Sequence, residues 1–227
     1  MFPKAMISVI IPTLNAQAGL AGVIAAVAGA HEIIVSDGGS ADATRALAEA
    51  AGARVVIGAK GRGGQLRRGA AAAAGDWLLF LHADTALEET WTDEAEALMT
   101  EPMTAGVFTL AFDRTHPAAR VVAAGANLRT RIFRLPYGDQ GLLISRAHYD
   151  AVGGFADMPL FEDVDIVDRI VARGGRRALR LLKSRAVTSA LRYERRGYAR
   201  QVLSNWTAIL RYRLGVPADE IARGYGE

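Results

Sequence analysis

Two short stretches of the chain hold groups able to take a proton or bind a cation: HAD at 82–84 and FEDVD at 161–165. His82 and Asp84 are two positions apart, so on strand-like backbone both side chains point to one side and a single cation touches both. Asp163, with Glu162 beside it, sits among Phe161, Val164, Ile166 and Val167. Such apolar surroundings raise a carboxylate toward the pKa of a useful general base. Plainer readings exist for each group: a hydrogen-bonded histidine, and acids that complement a helix dipole. Asp37, in VSDGGS, either meets a ligand or caps the next helix. Asp139 and Gln140, in YGDQG, are open to ordinary turn chemistry. The glycine-rich stretch GAKGRGGQLRR (58–68) lacks the Gly-Lys-Ser/Thr ending of a P-loop and the spacing of a dinucleotide fingerprint. What it keeps is free amides at a helix start, near Lys60 and Arg62, where a diphosphate is attracted.

The elements that must position these groups follow from the hydrophobic pattern. ISVIIPT (7–13), EIIVSDGGS (32–40), which ends in a carboxylate and two glycines, ARVVIG (53–58) and DWLLFLHAD (76–84) read as strands. Small-residue helical patterns separate them over 16–30, over 41–52 with Ser40 as N-cap and Gly52 as stop, and over 64–75. Strand and helix alternate every ~20–25 residues, as in parallel βαβ units. Strands covered on both faces read as unbroken apolar runs, which accounts for LLFL at 78–81. Ligands of open parallel sheets bind beyond the carboxyl ends of the strands, where Thr13, Asp37 and Asp84 fall. Further on, helices are expected over 89–100, 117–133 and 162–175 and strands over 105–112, 140–146 and within 176–190. A basic amphipathic helix follows over 198–215, with Val202, Leu203, Trp206, Ile209 and Leu210 near one stripe.

Composition sets the outer bounds. The 227 residues include 24 glycines, 7 prolines and no cysteine, which describes one compact domain and excludes disulfides and thiolate metal sites. The stretch MFPKAMISVIIPTLN shows no cleavable signal, and no apolar run approaches the ~18–20 residues of a spanning helix. A cytoplasmic protein is expected, with peripheral contact to the inner membrane face as an option. The net charge of +3 hides an asymmetry: residues 1–172 hold 14 Lys+Arg and 20 Asp+Glu, whereas 173–227 hold 13 and 4. The basic end predicts an anionic partner or an arginine-rich solvated face.

In this order and spacing, ISVIIPTLN, EIIVSDGGSADAT, AGDWLLFLHADT and FEDVDIVDRI resemble the family-2 inverting glycosyltransferases of the GT-A fold. More narrowly the chain is similar to their short bacterial "transferase 2" (rSAM/selenodomain-associated) branch, over about residues 6–190. The resemblance implies an α/β fold with a mostly parallel, Rossmann-like sheet flanked by helices. It implies a catalytic domain over 1–190, with a basic helical extension over 191–227 packed on it. A nucleotide-sugar donor, UDP-sugar favoured, would lie at the carboxyl edge of the sheet. Pro12 and Thr13 would then lie against the base and Asp37 against the uracil or ribose. Arg62 and Gln65 would approach the nucleotide, with Ala83 and Asp84 at the phosphates. Asp84 matches the last aspartate of the D-x-D motif, which contacts Mg²⁺ or Mn²⁺. Asp163 matches the aspartate of the E-D motif, the general base, with Glu162 beside it, and Asp139 and Gln140 fall in the sugar and acceptor region. His82 replaces the common first aspartate of D-x-D, so the metal is held either with His82 or by Asp84 and phosphate oxygens alone. Ala16 and Arg67 also depart from frequent family residues, and the Q-x-x-R-W acceptor motif has no counterpart.

The partners implied are a nucleotide-sugar donor and a small-molecule or lipid-linked acceptor. Nucleic acid is not among them; a membrane surface and a second copy of the chain are options for the C-terminal helix. Two rival readings are a sugar-phosphate nucleotidyltransferase, whose G-G-x-G-T-R loop VIIPTLN does not supply, and a noncatalytic nucleotide- or lipid-binding protein. The enzyme reading assumes that Asp37, Asp84 and Asp163 gather around one pyrophosphate.

Overall fold

The computed structural model describes residues 6–225; residues 1–5, the start of the stretch read as lacking a signal, and residues 226–227 lie outside it. In chain order the elements are β1 (Ile7–Thr13), α1 (Leu20–Ala26), β2 (Glu32–Asp37), α2 (Thr44–Ala50), β3 (Arg54–Ile57), α3 (Arg62–Ala72) and β4 (Trp77–Phe80). Then come β5 (Thr85–Leu87), α4 (Trp91–Leu98), β6 (Ala105–Phe112), α5 (Pro117–Phe133), a 3₁₀ turn (Gly138–Gln140), β7 (Leu142–Ser145), α6 (Arg146–Ala151) and α7 (Glu162–Gly174). A second 3₁₀ turn (Arg176–Ala178), β8 (Leu179–Thr188), α8 (Leu191–Arg196), α9 (Tyr198–Arg213) and α10 (Ala218–Tyr225) complete the chain.

One sheet runs through the molecule in the order β3-β2-β1-β4-β7-β6-β8-β5. Its first four strands are parallel, as the βαβ alternation predicts. From β7 onward the sheet is mixed: β7 is antiparallel to β4 and β6, β8 parallel to β6, and β5 antiparallel to β8. Period-2 alternation splits the core: Val9, Ile11, Leu79 and Leu81 face one side with α1 and α4, and Ile10, Leu78, Phe80 and Ile144 face the other with α3 and α7. A third cluster joins Phe161 and Val164 of the 161–165 stretch to Ala208 and Ile209 of α9 and Ile221 of α10. The C-terminal helices thus pack directly on the segment that carries the acids. Among the described residues no helix is long and apolar enough to cross a membrane.

Two local departures from the sequence reading matter. β4 stops at Phe80, where its pairing to Leu142 of β7 ends, and the chain turns so that the Thr85 N–H donates to the His82 carbonyl. Residues 82–84 are therefore turn and not strand, which removes the geometric reason for His82 and Asp84 to share a cation. The helix after β2 begins at Thr44, not beside Ser40; the Asp42 carboxylate accepts the Thr44 N–H there.

Candidate functional site

At the carboxyl ends of β1 and β2 the polar side chains bond to one another and to backbone. Asp37 is fully buried, and its carboxylate accepts from the Gly39 and Ser40 N–H groups and from the Ser40 and Thr13 hydroxyls. Despite burial, those donors hold its pKa below the usual carboxylate range. Gln65, expected to approach the nucleotide, spends its amide on the Thr13 and Ser36 carbonyls at 2.7 and 2.8 Å. Asp37, Thr13 and Gln65 are thus a rigid floor at the strand ends, and Asp37 does not project into the cavity that holds Asp163. Pro12 is half-buried beside them. Asp37 thus bonds the Gly39–Ser40 turn and does not cap the next helix, which begins at Thr44 beside Asp42.

The glycine-rich stretch resolves differently. Helix α3 starts at Arg62 behind Gly61, whose φ of 140° only glycine adopts readily. A side chain at Gly63 would run into the Ala156 carbonyl, so that side of the first turn is covered by the loop before α7. Arg62 remains partly exposed at the helix start, its Nε 3.6 Å from the Glu162 carboxylate.

The acids gather around Gly138. The Asp163 carboxylate accepts from the Gly138 N–H at 2.5 Å and from the Val164 N–H at 2.8 Å. A Cβ on Gly138 would stand 2.5 Å from His82 Nε2 and 3.4 Å from Asp163 Oδ2, so glycine is what lets the histidine and the acid approach the 137–140 turn. Glu162, only 2% exposed, lies behind Asp163. Burial raises both carboxyls as a coupled pair, and Arg62 offsets part of the effect. Asp139, next along the turn, is pushed up to about 6 by burial; Arg129 opposes the rise, while Asp163 and Asp84 add to it. One Asp139 oxygen and one Arg129 nitrogen are buried without a hydrogen-bond partner. Unsatisfied buried polar atoms of this kind are what a polar ligand supplies partners for.

Asp84 is exposed on the 82–84 turn, close enough to Asp139 to feel its charge, and Ala83 beside it packs on the start of α1 at Gly19. His82 is held well below its ordinary pKa by burial and by the charges of Arg62 and Arg192, so at neutral pH it is an uncharged imidazole. Gln140 turns away from the acids: its amide donates to the Phe108 carbonyl and accepts from Thr130, locking the turn to β6 and α5. Beneath Glu162 and Asp163 lies a mostly apolar cavity walled by Phe80, Val107, Phe155 and Ile166.

Strain concentrates at the same place. Phe161 begins α7 at φ 67°, left-handed for a bulky residue, and is buried against Tyr212 of α9 with ring centroids 4.6 Å apart. Sequence reasoning missed this brace; an aromatic directly before E-D was the only available sign. It also missed Arg129, half-buried on α5 with its guanidinium 3.6 Å over the Tyr137 ring.

Among the described residues no three His, Cys, Asp or Glu groups converge to cage a metal ion.

In comparison with known proteins, no curated sequence matches the chain significantly. Solved structures of glucosyl-3-phosphoglycerate synthase from Mycobacterium tuberculosis do. A form without stated ligands is 25% identical, with TM-score 0.63 over 94% of this chain and 82% of that one. Its complex with Mn²⁺ and UDP-glucose is 24% identical, with TM-score 0.63 over 94% and 80%. The complex with Mn²⁺, UDP and glucosyl-3-phosphoglycerate is 23% identical, with TM-score 0.63 over 94% and 81%. They share the GT-A arrangement of a curled α/β sheet flanked by helices. Residues 8–152 match the model of glycosyl transferase family 2, well over half of the chain, and the protein belongs to that family.

Proposed function

We propose that this glycosyltransferase is inverting and moves a sugar from a nucleoside diphosphate donor, UDP-sugar first, to an acceptor hydroxyl, assisted by Mg²⁺ or Mn²⁺. The observation that carries the reading is the meeting of Asp163, Glu162, Asp139 and Arg62 around the 137–140 turn, with the Asp84 carboxylate within electrostatic reach. The mycobacterial relatives were crystallised with UDP-glucose or UDP and Mn²⁺, which supports this donor class.

In the proposed step the acceptor oxygen attacks the anomeric carbon and gives its proton to Asp163. The bond from that carbon to the β-phosphate oxygen breaks, and its electron pair leaves with the diphosphate. Displacement from the face opposite the leaving group inverts the anomeric centre. A divalent cation, when bound, neutralises charge building on the leaving diphosphate. Asp84 is the residue to hold it, together with phosphate oxygens, and Arg62 adds positive charge at the start of α3. Uncharged His82 contributes no competing positive charge to Asp163 and can accept or donate one hydrogen bond to the sugar. Asp139 and Arg129 offer the unpaired oxygen and nitrogen for sugar hydroxyls. Burial keeps the proton affinity of Asp163 high, offset in part by Arg62, which suits it to take a proton from the acceptor.

The test is a panel of nucleotide sugars, each assayed for protection against thermal unfolding and for transfer or hydrolysis, with and without Mn²⁺. Asp163→Asn should bind the donor that wild type selects and fail to transfer from it. Wild-type transfer in that variant would remove Asp163 from the base role.

A further inference from the structure

Helix α9 has two working faces. Its inner face, Ala208, Ile209 and Tyr212, packs on Phe161 and Val164 beside the catalytic acids. The outer face carries Leu203 (67% exposed), Trp206 (49%), Leu210 (59%) and Leu214 (75%), spaced three or four residues apart in one stripe. The single stripe expected from sequence is thus two, with Ile209 turned in and Leu203, Trp206 and Leu210 turned out. Helix α5 lies alongside: His116 at its start stacks on Tyr198 at the start of α9, and Leu135 beyond its end joins the cluster around Ile209. It too leaves an apolar stripe in water, Val121, Leu128 and Ile132, with Phe133 next to it.

Charge identifies what covers these stripes. Neither helix contains an acidic residue; of their six arginines, Arg211 and Arg213 pair with Glu220 and Asp168 and Arg129 lies over Tyr137, so three act outward. Arg120, Arg131 and Arg200 are exposed beside the apolar positions. A second copy of the chain seated here would bring those arginines against their own counterparts with no acid in either helix to offset them, a like-charge contact that disfavours pairing. An anionic lipid surface offers both complements at once: phosphates for the arginines and acyl chains for the leucines and tryptophan.

We propose that the outer face of α9, with α5 beside it, seats the protein on an anionic bilayer. Because the inner face of the same helix braces Phe161, the seat holds the Glu162–Asp163 site close to the lipid surface. Resting on the glycosyltransferase reading, the acceptor is then the hydroxyl or phosphate head of a membrane-anchored lipid.

The full chain is tested with vesicles of phosphatidylcholine alone or mixed with phosphatidylglycerol. Trp77 and Trp91 are buried, so a change in intrinsic fluorescence reports Trp206. The proposal predicts co-sedimentation and a blue-shifted emission with the anionic vesicles only, weakening as salt is raised. Arg120→Gln with Arg200→Gln lowers vesicle affinity by roughly 25-fold, at about fivefold per arginine. Leu203→Ser with Leu210→Ser abolishes it, while circular dichroism and UDP-glucose binding stay as in wild type. Equal sedimentation with both vesicle types, or unchanged binding in the serine variant, overturns the proposal. So does a wild-type dimer that the serine variant disperses in the absence of vesicle binding. Vesicle binding in a protein that binds no nucleotide sugar upholds the seat and removes the enzyme reading instead.

Discussion

Replacing Asp139 by asparagine should make the protein more stable at neutral pH while it impairs activity. In the fold this carboxyl is pushed up to about 6 from its ordinary 3.8, chiefly by burial. The sign follows from proton linkage. Below ~pH 4 the group is protonated in both folded and unfolded chains and contributes nothing; as pH rises toward ~6 the unfolded chain ionises first, and stability falls. Above that the folded state carries the whole penalty of a charge poorly solvated and flanked by Asp163 and Asp84. A shift of about two units corresponds to roughly 3 kcal/mol as a ceiling. The side chain is only half-buried and asparagine adds an amide that must find a partner, so ~1–2 kcal/mol is the gain expected at pH 8. For a chain of this size that is roughly 2–8 °C in melting temperature. Thermal melts of both proteins without nucleotide or metal, from about pH 4 to 8, give the test. A stabilisation that grows with pH supports the reasoning; equal melting at every pH, or a gain confined to acid pH, refutes it.

Other predictions follow from the same geometry. Because burial raises the Glu162–Asp163 pair, the acid limb of kcat/KM should lie well above the ordinary carboxylate range, and activity should climb as pH rises through it. Asp163→Asn should lower kcat by about 10²–10⁴ with donor affinity kept, measured by titration calorimetry beside steady-state kinetics. Gln65→Ala should destabilise by ~0.5–1.5 kcal/mol in urea melts, since it removes the amide that the buried Thr13 and Ser36 carbonyls share, although the Thr13 carbonyl keeps the Gly38 N–H. Tyr212→Ala, which touches no proposed ligand group, should release the left-handed Phe161 and reduce kcat more than it reduces melting temperature.

How much of this was legible in the sequence depends on whether the deciding contact is local. β1, β6 and α5 begin and end as their patterns predict, because a β-branched run stopped by backbone change or a proline at a helix start is a local signal. β5 was invisible: three residues, Thr85–Leu87, become a strand only by pairing with Thr188, Val187 and Ala186 a hundred positions away. Helix α1 covers half of its small-residue pattern, since alanine and glycine give periodicity too little contrast to mark an end. At the site, residue types do not give side-chain direction. Asp37, Gln65 and Gln140 bond to neighbouring chain, and a polar side chain's choice between ligand and carbonyl is set by tertiary geometry. Of Asp37, Asp84 and Asp163, only Asp163 lines the cavity beneath the 137–140 turn; Asp84 reaches that turn through its charge on Asp139, and Asp37 is bonded into the strand-end floor.

The most direct measurement is calorimetric titration of UDP-glucose and other nucleotide sugars into wild type and Asp84→Ala, each with and without Mn²⁺. The account predicts that one donor binds wild type in a metal-dependent manner and that Asp84→Ala weakens this binding by tenfold or more, on the order of 1.4 kcal/mol. Absence of binding by any nucleotide sugar in either metal condition, or equal affinity in the two proteins, would contradict it.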